Sequence, residues 1–216
     1  MSLLDVSLKK EYRSPRDNIV TDFYIPLLKE AKLYKRSVGF FSSSSLLEIS
    51  YGISNLINNG GKILLIASPN LSDEDIEAIN KGYEIRDNII ERALLQYITE
   101  PQNYFEEERL NLLATLIAQE KLDIKIAFSL KGEKLGLYHE KLGLMYDNEN
   151  NIIAFSGSMN ETENAFVNNY EIVDVFTSWE DKDRVSIKEK SFDQLWNNSD
   201  GNAVVCDFPE TVKEKL

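Results

Sequence analysis

A short stretch of the chain, Tyr138 to Asn160, gathers residue types that bind anions. It contains His139, the only histidine among the 216 residues, and Lys141 follows two positions later. Residues two apart in an extended segment face the same way, so we expect His139 and Lys141 to project together from a strand. The next residue on that face is Gly143, which has no side chain and is predicted to leave room for an anion.

A second polar group follows the first. Ser156, Ser158 and Asn160 lie where a predicted strand passes into a loop, and backbone N–H groups at such an exit can also point at a phosphate. Glu171 then begins an otherwise apolar strand, where a carboxylate is costly to bury without a partner. We expect His139 to be that partner. The joint order of H-x-K, G-S-x-N and Glu favours a site over incidental strand and turn residues.

Length and composition predict one globular domain that spans residues 1–216. Hydrophobic residues make up 43% of the chain and charged residues 28%, which is far from the composition of disordered chains. No apolar run reaches the roughly 18 residues that cross a bilayer, and the N-terminus lacks the features of a secretory signal. We therefore expect a cytoplasmic protein that has no membrane partner.

The net charge of −12 argues against a generally basic nucleic-acid-binding surface, so any phosphate chemistry must be local. Acidic residues are concentrated at 72–84 and 100–108, which are either solvated helix faces or a means of keeping other surfaces away from DNA. Cys206 is the only cysteine, and one Cys with one His cannot supply the usual zinc ligands. We expect neither a metal nor another cofactor.

The elements that must position these residues follow from the spacing of apolar residues and from turn chemistry. Helices are predicted at 17–34, 45–60, 72–98, 104–120 and 181–196, and strands at 36–42, 62–68, 122–129, 170–178 and 202–208. Segments 136–147 and 151–157 flank the turn sequence N-E-N-N and are predicted to form a hairpin. Strands and helices mix throughout, which predicts an α/β sandwich with a mixed sheet.

The H-E-K of His139 to Lys141, the G-S-M-N of Gly157 to Asn160, and Glu171 resemble the second half of the catalytic motif of the phospholipase D superfamily. The resemblance covers Tyr138 to Phe176 and extends to the two predicted strands upstream. It implies a phospholipase D-like mixed β-sheet flanked by helices on both faces.

One position departs from the family pattern. The family has an Asp five residues after the motif lysine, whereas this chain has Tyr146 there and Asp147 one position later. Asp147 is therefore left out of the predicted catalytic set.

The resemblance also implies a role for each matching residue. His139 would attack phosphorus and form a covalent phosphohistidine, because imidazole has a free base near neutral pH. Lys141 and Asn160 would hold the nonbridging oxygens, and Ser158 would add a hydrogen bond. Glu171 would accept from the other ring nitrogen of His139 and so fix its tautomer. This scheme requires no metal.

The scheme needs a second, protonated histidine for the leaving oxygen, and this chain has only His139. Family members with one motif per chain bring two subunits together so that a single site forms between them. The resemblance therefore predicts a homodimer in which two copies of His139 lie close to each other.

Single-motif members of the superfamily are mostly nucleases, including restriction-enzyme domains and modules fused to helicases. We therefore expect a nuclease acting on DNA, with RNA as the second choice, and the chain as the N-terminal piece of a longer helicase or restriction protein. The alternative is a non-catalytic module that dimerises or positions nucleic acid. A lipid phosphodiesterase lacks support because no interfacial amphipathic segment with a basic face is evident.

Overall fold

The computed structural model describes residues 2–41, 43–69, 76, 86–95, 104–132, 134–160, 162 and 168–213. Within these residues the chain forms a nine-stranded sheet and seven α-helices. The strands are β1 (Glu11–Arg13), β2 (Leu33–Val38), β3 (Lys62–Ala67), β4 (Leu122–Lys131), β5 (Lys134–Leu137), β6 (Leu142–Tyr146), β7 (Ile152–Gly157), β8 (Ile172–Thr177) and β9 (Ala203–Asp207). The helices are α1 (Ile25–Glu30), α2 (Ser43–Glu48), α3 (Ser50–Asn58), α4 (Arg86–Leu95), α5 (Tyr104–Ala118), α6 (Lys182–Trp196) and α7 (Glu210–Lys213).

The strand order is β1-β8-β7-β6-β2-β3-β4-β5, and β9 pairs with β4. β2, β3 and β4 run parallel to one another, and the remaining pairs are antiparallel. The predicted mixed sheet is therefore confirmed.

Helices cover both faces of the sheet because the central strands are apolar on both sides. On β3, Ile63 and Leu65 join the core that contains α1, α3 and α5 residues, whereas Leu64 and Ile66 pack with α6 residues such as Phe192. Each fully buried aliphatic or aromatic side chain of this kind contributes about 1.5–3 kcal/mol to folding. The two cores pack against the sheet from either side, which confirms the predicted helix–sheet–helix arrangement.

The predicted helix at 17–34 differs from the structure at its C-terminal end. Asn18 caps the N-terminus, since its Oδ1 accepts from Thr21 N at 3.1 Å, and a π-helical turn at Val20–Tyr24 leads into α1. The helix ends at Glu30, however, and β2 already begins at Leu33. The predicted helix was too long because apolar residues keep a helical spacing past Glu30 and into the start of β2.

Other boundaries also depart from expectation. The short strand β1, which pairs with the start of β8, was not predicted, and only the last two residues of β5 fall within the predicted segment 136–147. Most of the predicted helix at 72–98 lies outside the described residues, apart from Ile76 and α4. The same holds for the acidic segment 72–84, while in the second acidic segment Glu107 and Glu108 are exposed on α5. Among the described residues, no helix has the length and apolar character needed to cross a membrane.

The hairpin is confirmed, since β6 and β7 pair from Leu142↔Ser156 to Tyr146↔Ile152. The segment 136–147 is not one strand, however, because β5 ends at Leu137 and β6 begins at Leu142. The prediction that His139 lies in a strand is therefore wrong.

Candidate active site

Four neighbouring strands bring the polar motif residues to one end of the sheet. Ser37 near the end of β2 pairs with Leu142 at the start of β6, and Leu142 pairs with Ser156 near the end of β7. Gly157 at the end of β7 pairs with Val173 near the start of β8. Residues that leave β2 and β7, and residues that enter β6 and β8, therefore meet at the same end of the sheet.

His139 and Lys141 meet as the sequence predicts, although they precede β6. Lys141 Nζ lies 2.5 Å from His139 Nε2 and 3.4 Å from the His139 carbonyl oxygen. His139 is exposed and Lys141 is half-buried. Glu140 points to the side opposite to His139 and Lys141, where it accepts from Ser37 Oγ. The pair thus presents an imidazole and an ammonium group at the surface.

Gly39, just after β2, lies against the imidazole. A Cβ added at this residue would be 2.5 Å from His139 Nδ1 and 3.2 Å from His139 Cα. The absence of a side chain is therefore required for the close approach of the two segments. It also means that the Nδ1 edge of the ring faces Gly39.

The space above Gly143 is not an anion pocket. A Cβ at Gly143 would be 2.1 Å from Phe155 Cζ, so the phenyl ring of β7 occupies the position that the missing side chain leaves. The prediction that Gly143 leaves room for an anion is wrong. The ring also lies 5.2 Å from the guanidinium carbon of Arg36.

Arg36 is a charged residue of the site that the sequence analysis missed. It is 1% exposed and donates from Nη2 to the Met159 carbonyl oxygen at 2.6 Å, which fixes the backbone just before Asn160. Burial, followed by the positive charge of Arg36, lowers the pKa of Lys141, and Glu171 partly offsets this effect. Its position as a basic residue in an otherwise apolar predicted strand could have indicated that Arg36 belongs to the site.

Asn160 is held by the segment that follows β2. Its Oδ1 accepts from Phe40 N at 3.2 Å, an arrangement that aims the amide nitrogen, a donor, away from the strand. Ser158 instead uses its hydroxyl within the protein. It donates to Glu171 Oε2, and it accepts from Ile172 N at 3.1 Å.

Glu171 is buried, as predicted, but its partners differ from those expected. Its carboxylate accepts from Ser158 Oγ and from Asn169 Nδ2 at 3.2 Å, and its backbone N–H donates to Ser14 Oγ at 2.7 Å. In the described part of the chain, no hydrogen bond joins Glu171 to His139, whose Nδ1 faces Gly39. Because Ser158 donates to the Glu171 carboxylate, this group can be buried without a hydrogen bond from His139.

Asp147 lies at the other end of the hairpin, where it stabilises the turn. It is 1% exposed and accepts from Ser2 Oγ at 2.5 Å, Leu3 N at 3.0 Å, and the backbone and side chain of Asn151. Burial raises the pKa of Asp147, but these hydrogen bonds outweigh it and lower the pKa to about 2. The carboxylate ties the N-terminus to the β6–β7 turn, far along the hairpin from His139.

His, Cys, Asp and Glu side chains nowhere form a group of three or more placed to hold a metal ion within the described ranges. The arrangement at the sheet end is instead an imidazole, two cationic side chains, an amide and a carboxylate. Such a set can bind a phosphate group and offer a nitrogen nucleophile to it.

A mixed sheet between two helical layers, with a His-Lys pair and an Asn at one end, places the chain in the class of phospholipase D-like α/β proteins. The chain belongs to the family whose model is described as "Cardiolipin synthase, PLD-like domain", which matches residues 28–196. Members of this superfamily are phosphodiesterases, and nucleases are among them. No curated protein sequence matches the chain.

The fold recurs in solved structures that match the chain, and NucT and Nuc are two of them. NucT from Helicobacter pylori is 18% identical with a TM-score of 0.53, over 92% of this chain and 97% of that one. Nuc from Salmonella typhimurium, a phospholipase D family member, is 12% identical with a TM-score of 0.50, over 92% of this chain and 95% of that one. At these identities the likeness establishes the fold alone.

Proposed function

We propose that the chain is a metal-independent phosphodiesterase, and specifically a nuclease that hydrolyses DNA phosphodiesters. The observation that carries this proposal is the convergence of His139, Lys141 and Asn160 at one end of the sheet, with Lys141 Nζ 2.5 Å from His139 Nε2. Family membership supports the reaction type, and the names of the two nucleases with the same fold favour a nucleic acid substrate.

In the proposed reaction, His139 Nε2 attacks phosphorus, a P–N bond forms, and the bond to the leaving oxygen breaks. Lys141 leaves its position beside Nε2 to hold a nonbridging oxygen, and the Asn160 amide donates to another. Water then attacks phosphorus and gives its proton to the imidazole that protonated the leaving oxygen, the P–N bond breaks, and the second product is released. Glu171 holds Ser158 in place and lies close enough to Lys141 to influence its pKa.

The leaving oxygen requires a proton, and His139 of a second copy supplies it in this scheme. The first copy has no other histidine to do so. We therefore propose a homodimer with one shared site, in which each His139 has a different task. The exposure of His139 supports this arrangement, because the imidazole lies where a second subunit can approach it.

We further propose that residues 1–216 act as one phospholipase D-like domain. The match to the family extends over strands β2 to β8, which belong to one continuous sheet. The expected place of this domain in a longer restriction or helicase-like protein stays a prediction.

Cleavage of labelled DNA in excess EDTA tests the proposed activity. Single-stranded DNA, double-stranded DNA and RNA of one sequence are compared, and His139→Ala is the control. We expect the wild type to cut DNA in EDTA and the variant to lose on the order of 10³-fold or more in rate. If neither protein cuts any substrate although each is a verified dimer, the nuclease proposal fails and a non-catalytic phosphate-binding module is favoured.

Mixing the wild type with His139→Ala tests the shared site. After subunit exchange, activity is expected to fall with the square of the wild-type fraction, because only dimers with two intact copies of His139 complete the reaction. A linear fall would show that each subunit works alone and would overturn the shared site without affecting the activity itself.

A further inference from the structure

The segment that carries His139 and Lys141 has no strand pairing of its own. β5 ends at Leu137 and β6 begins at Leu142, so residues 138–141 lie between strands. Ladder hydrogen bonds fix the direction of side chains in a sheet, and this segment must obtain its direction in another way. Side chains are the remaining means of holding it.

Glu140 makes such contacts on the face of the segment opposite to the site. One carboxylate oxygen, Oε2, accepts from Tyr138 Oη at 2.6 Å and from Ser37 Oγ at 2.9 Å. Tyr138 is 7% exposed and Ser37 is completely buried, so both hydroxyls need an acceptor from the protein, and the exposed Glu140 supplies it. The carboxylate thus fastens residues 138–140 to β2.

The groups around Glu140 favour its role as the acceptor for the Tyr138 and Ser37 hydroxyls. Burial and then the charge of Glu140 raise the pKa of Tyr138, which keeps the phenol protonated and able to donate. Lys188 of α6 lies close enough to be affected by the charge of Glu140, and its Nζ donates to Ser156 Oγ at 3.0 Å. The charge of Glu140 is therefore partly balanced without drawing its oxygen away from the two hydroxyls.

We propose that Glu140 is a positioning residue that sets the direction of His139 and Lys141 from the opposite face of their segment. Neighbouring residues of an extended segment point to opposite sides, so fastening Glu140 to Ser37 directs His139 and Lys141 to the other side. Gly39, two residues beyond Ser37, receives the imidazole there. Ser37 in β2 and Gly39 just after β2 thereby contact the segment on its two faces. The effect on turnover rests on the proposed function, whereas the effect on His139 itself does not.

Two variants separate positioning from charge. Glu140→Gln keeps an oxygen that can accept from both hydroxyls, whereas Glu140→Ala removes it. Glu149→Ala is the matched control, because Glu149 is an exposed carboxylate in the turn at the far end of the same hairpin. Each variant is compared with the wild-type chain for folding and oligomeric state.

The single histidine provides a direct readout. NMR of the imidazole gives one set of ring signals, which belongs to His139 alone. We expect Glu140→Ala to shift or broaden these signals, and Glu140→Gln and Glu149→Ala to leave them close to those of the wild type. With bis(p-nitrophenyl) phosphate, kcat of Glu140→Ala is expected to fall about 10- to 100-fold with little change in KM, because misplacement of a catalytic group affects the reacting geometry.

The two proposals fail in different ways. If Glu140→Ala folds and leaves the imidazole signals unchanged, Glu140 does not position His139. If Glu140→Gln is as impaired as Glu140→Ala, the charge of Glu140 matters rather than the acceptor, and the proposal is overturned. An inactive wild type would refute the proposed function, while the imidazole signals would still decide the positioning role.

Discussion

The two ends of the β6–β7 hairpin differ in how their charged groups are satisfied. At the turn end, the Asp147 carboxylate is 1% exposed, and donors from Ser2, Leu3 and Asn151 surround it. Every one of these donors belongs to the chain itself. The charge is therefore satisfied completely within the fold.

At the other end, the charges are less favourably arranged. Lys141 lies beside an imidazole rather than a carboxylate, and burial and the cation of Arg36 lower its pKa. A lowered lysine pKa means that the folded state disfavours the ammonium form. A bound phosphate would stabilise the ammonium form of Lys141, whereas the Asp147 carboxylate already has donors on both oxygens.

The difference separates Asp147, at the turn end of the hairpin, from His139 and Lys141 at the other end. Residues at the turn end contribute to the free energy of unfolding, whereas under the proposed function residues at the site end act on the substrate at some cost in stability. The comparison predicts opposite outcomes for substitutions at the two ends.

The largest effect is expected for Lys141→Met. Its kcat on a phosphodiester should fall about 10²- to 10³-fold, because a donor that stabilises transition-state charge is lost. Its free energy of unfolding should stay the same or rise, since a disfavoured ammonium is removed. Activity assays and urea unfolding measure both. A loss of stability as large as that of an Asp147 variant would break the comparison.

Asp147→Asn should produce the reverse pattern. The amide cannot accept from all the donors around it, so the variant should lose about 2–3 kcal/mol in free energy of unfolding. Activity per folded molecule should remain that of the wild type. Glu149→Gln, in the same turn but exposed, is the control and should unfold like the wild type. A catalytic defect in correctly folded Asp147→Asn would contradict the division of roles.

The same variant gives a pH dependence. The pKa of Asp147 is about 2 in the folded chain and about 3.9 in an unfolded one, so its stabilising contribution is present above pH about 4 and is lost as the pH falls towards 2. The difference in unfolding free energy between wild type and Asp147→Asn should therefore shrink over this range. A difference that stays constant from pH 7 to pH 3 and below would disprove the assignment.

The smallest of these effects is expected for Gly39→Ala. The added Cβ would be 2.5 Å from His139 Nδ1, so the imidazole must move, and kcat should fall about 10- to 100-fold. Gly201→Ala is the matched control, because no atom lies within 4 Å of its added Cβ. Unfolding by urea should be similar for both variants. Equal activity of the two would show that the approach of Gly39 does not matter.

Much of the fold could be predicted because apolar periodicity marks the central elements clearly. β3, β8 and α6 appear where their patterns place them, and the hairpin follows from the turn sequence. The start of β2 at Leu33 was missed because the helical spacing of apolar residues continues to residue 34 and Lys35 then interrupts the apolar pattern. Lys35 donates to Asp193 at 2.6 Å and Arg36 to a carbonyl oxygen, so each is buried with a partner from a distant part of the sequence.

The sequence predicted which residues lie together at the candidate site better than it predicted which groups contact each other. The spacing of His139 and Lys141 indicates that they meet, and the structure places them in contact. Spacing gives no information on the Phe155 ring above Gly143 or on the hydroxyl that satisfies Glu171. These contacts depend on cross-strand register and rotamers, which local sequence does not determine.

The pairing of β1 with β8 has a consequence for synthesis of the chain. Glu11 pairs with Asp174, and the contact between Phe40 and Asn160 spans 120 residues. A growing chain therefore cannot close this part of the sheet until β8 has left the ribosome, and such nonlocal pairing is slow to form. The end of the sheet that carries His139, Lys141 and Asn160 is therefore assembled only after β8 has been made.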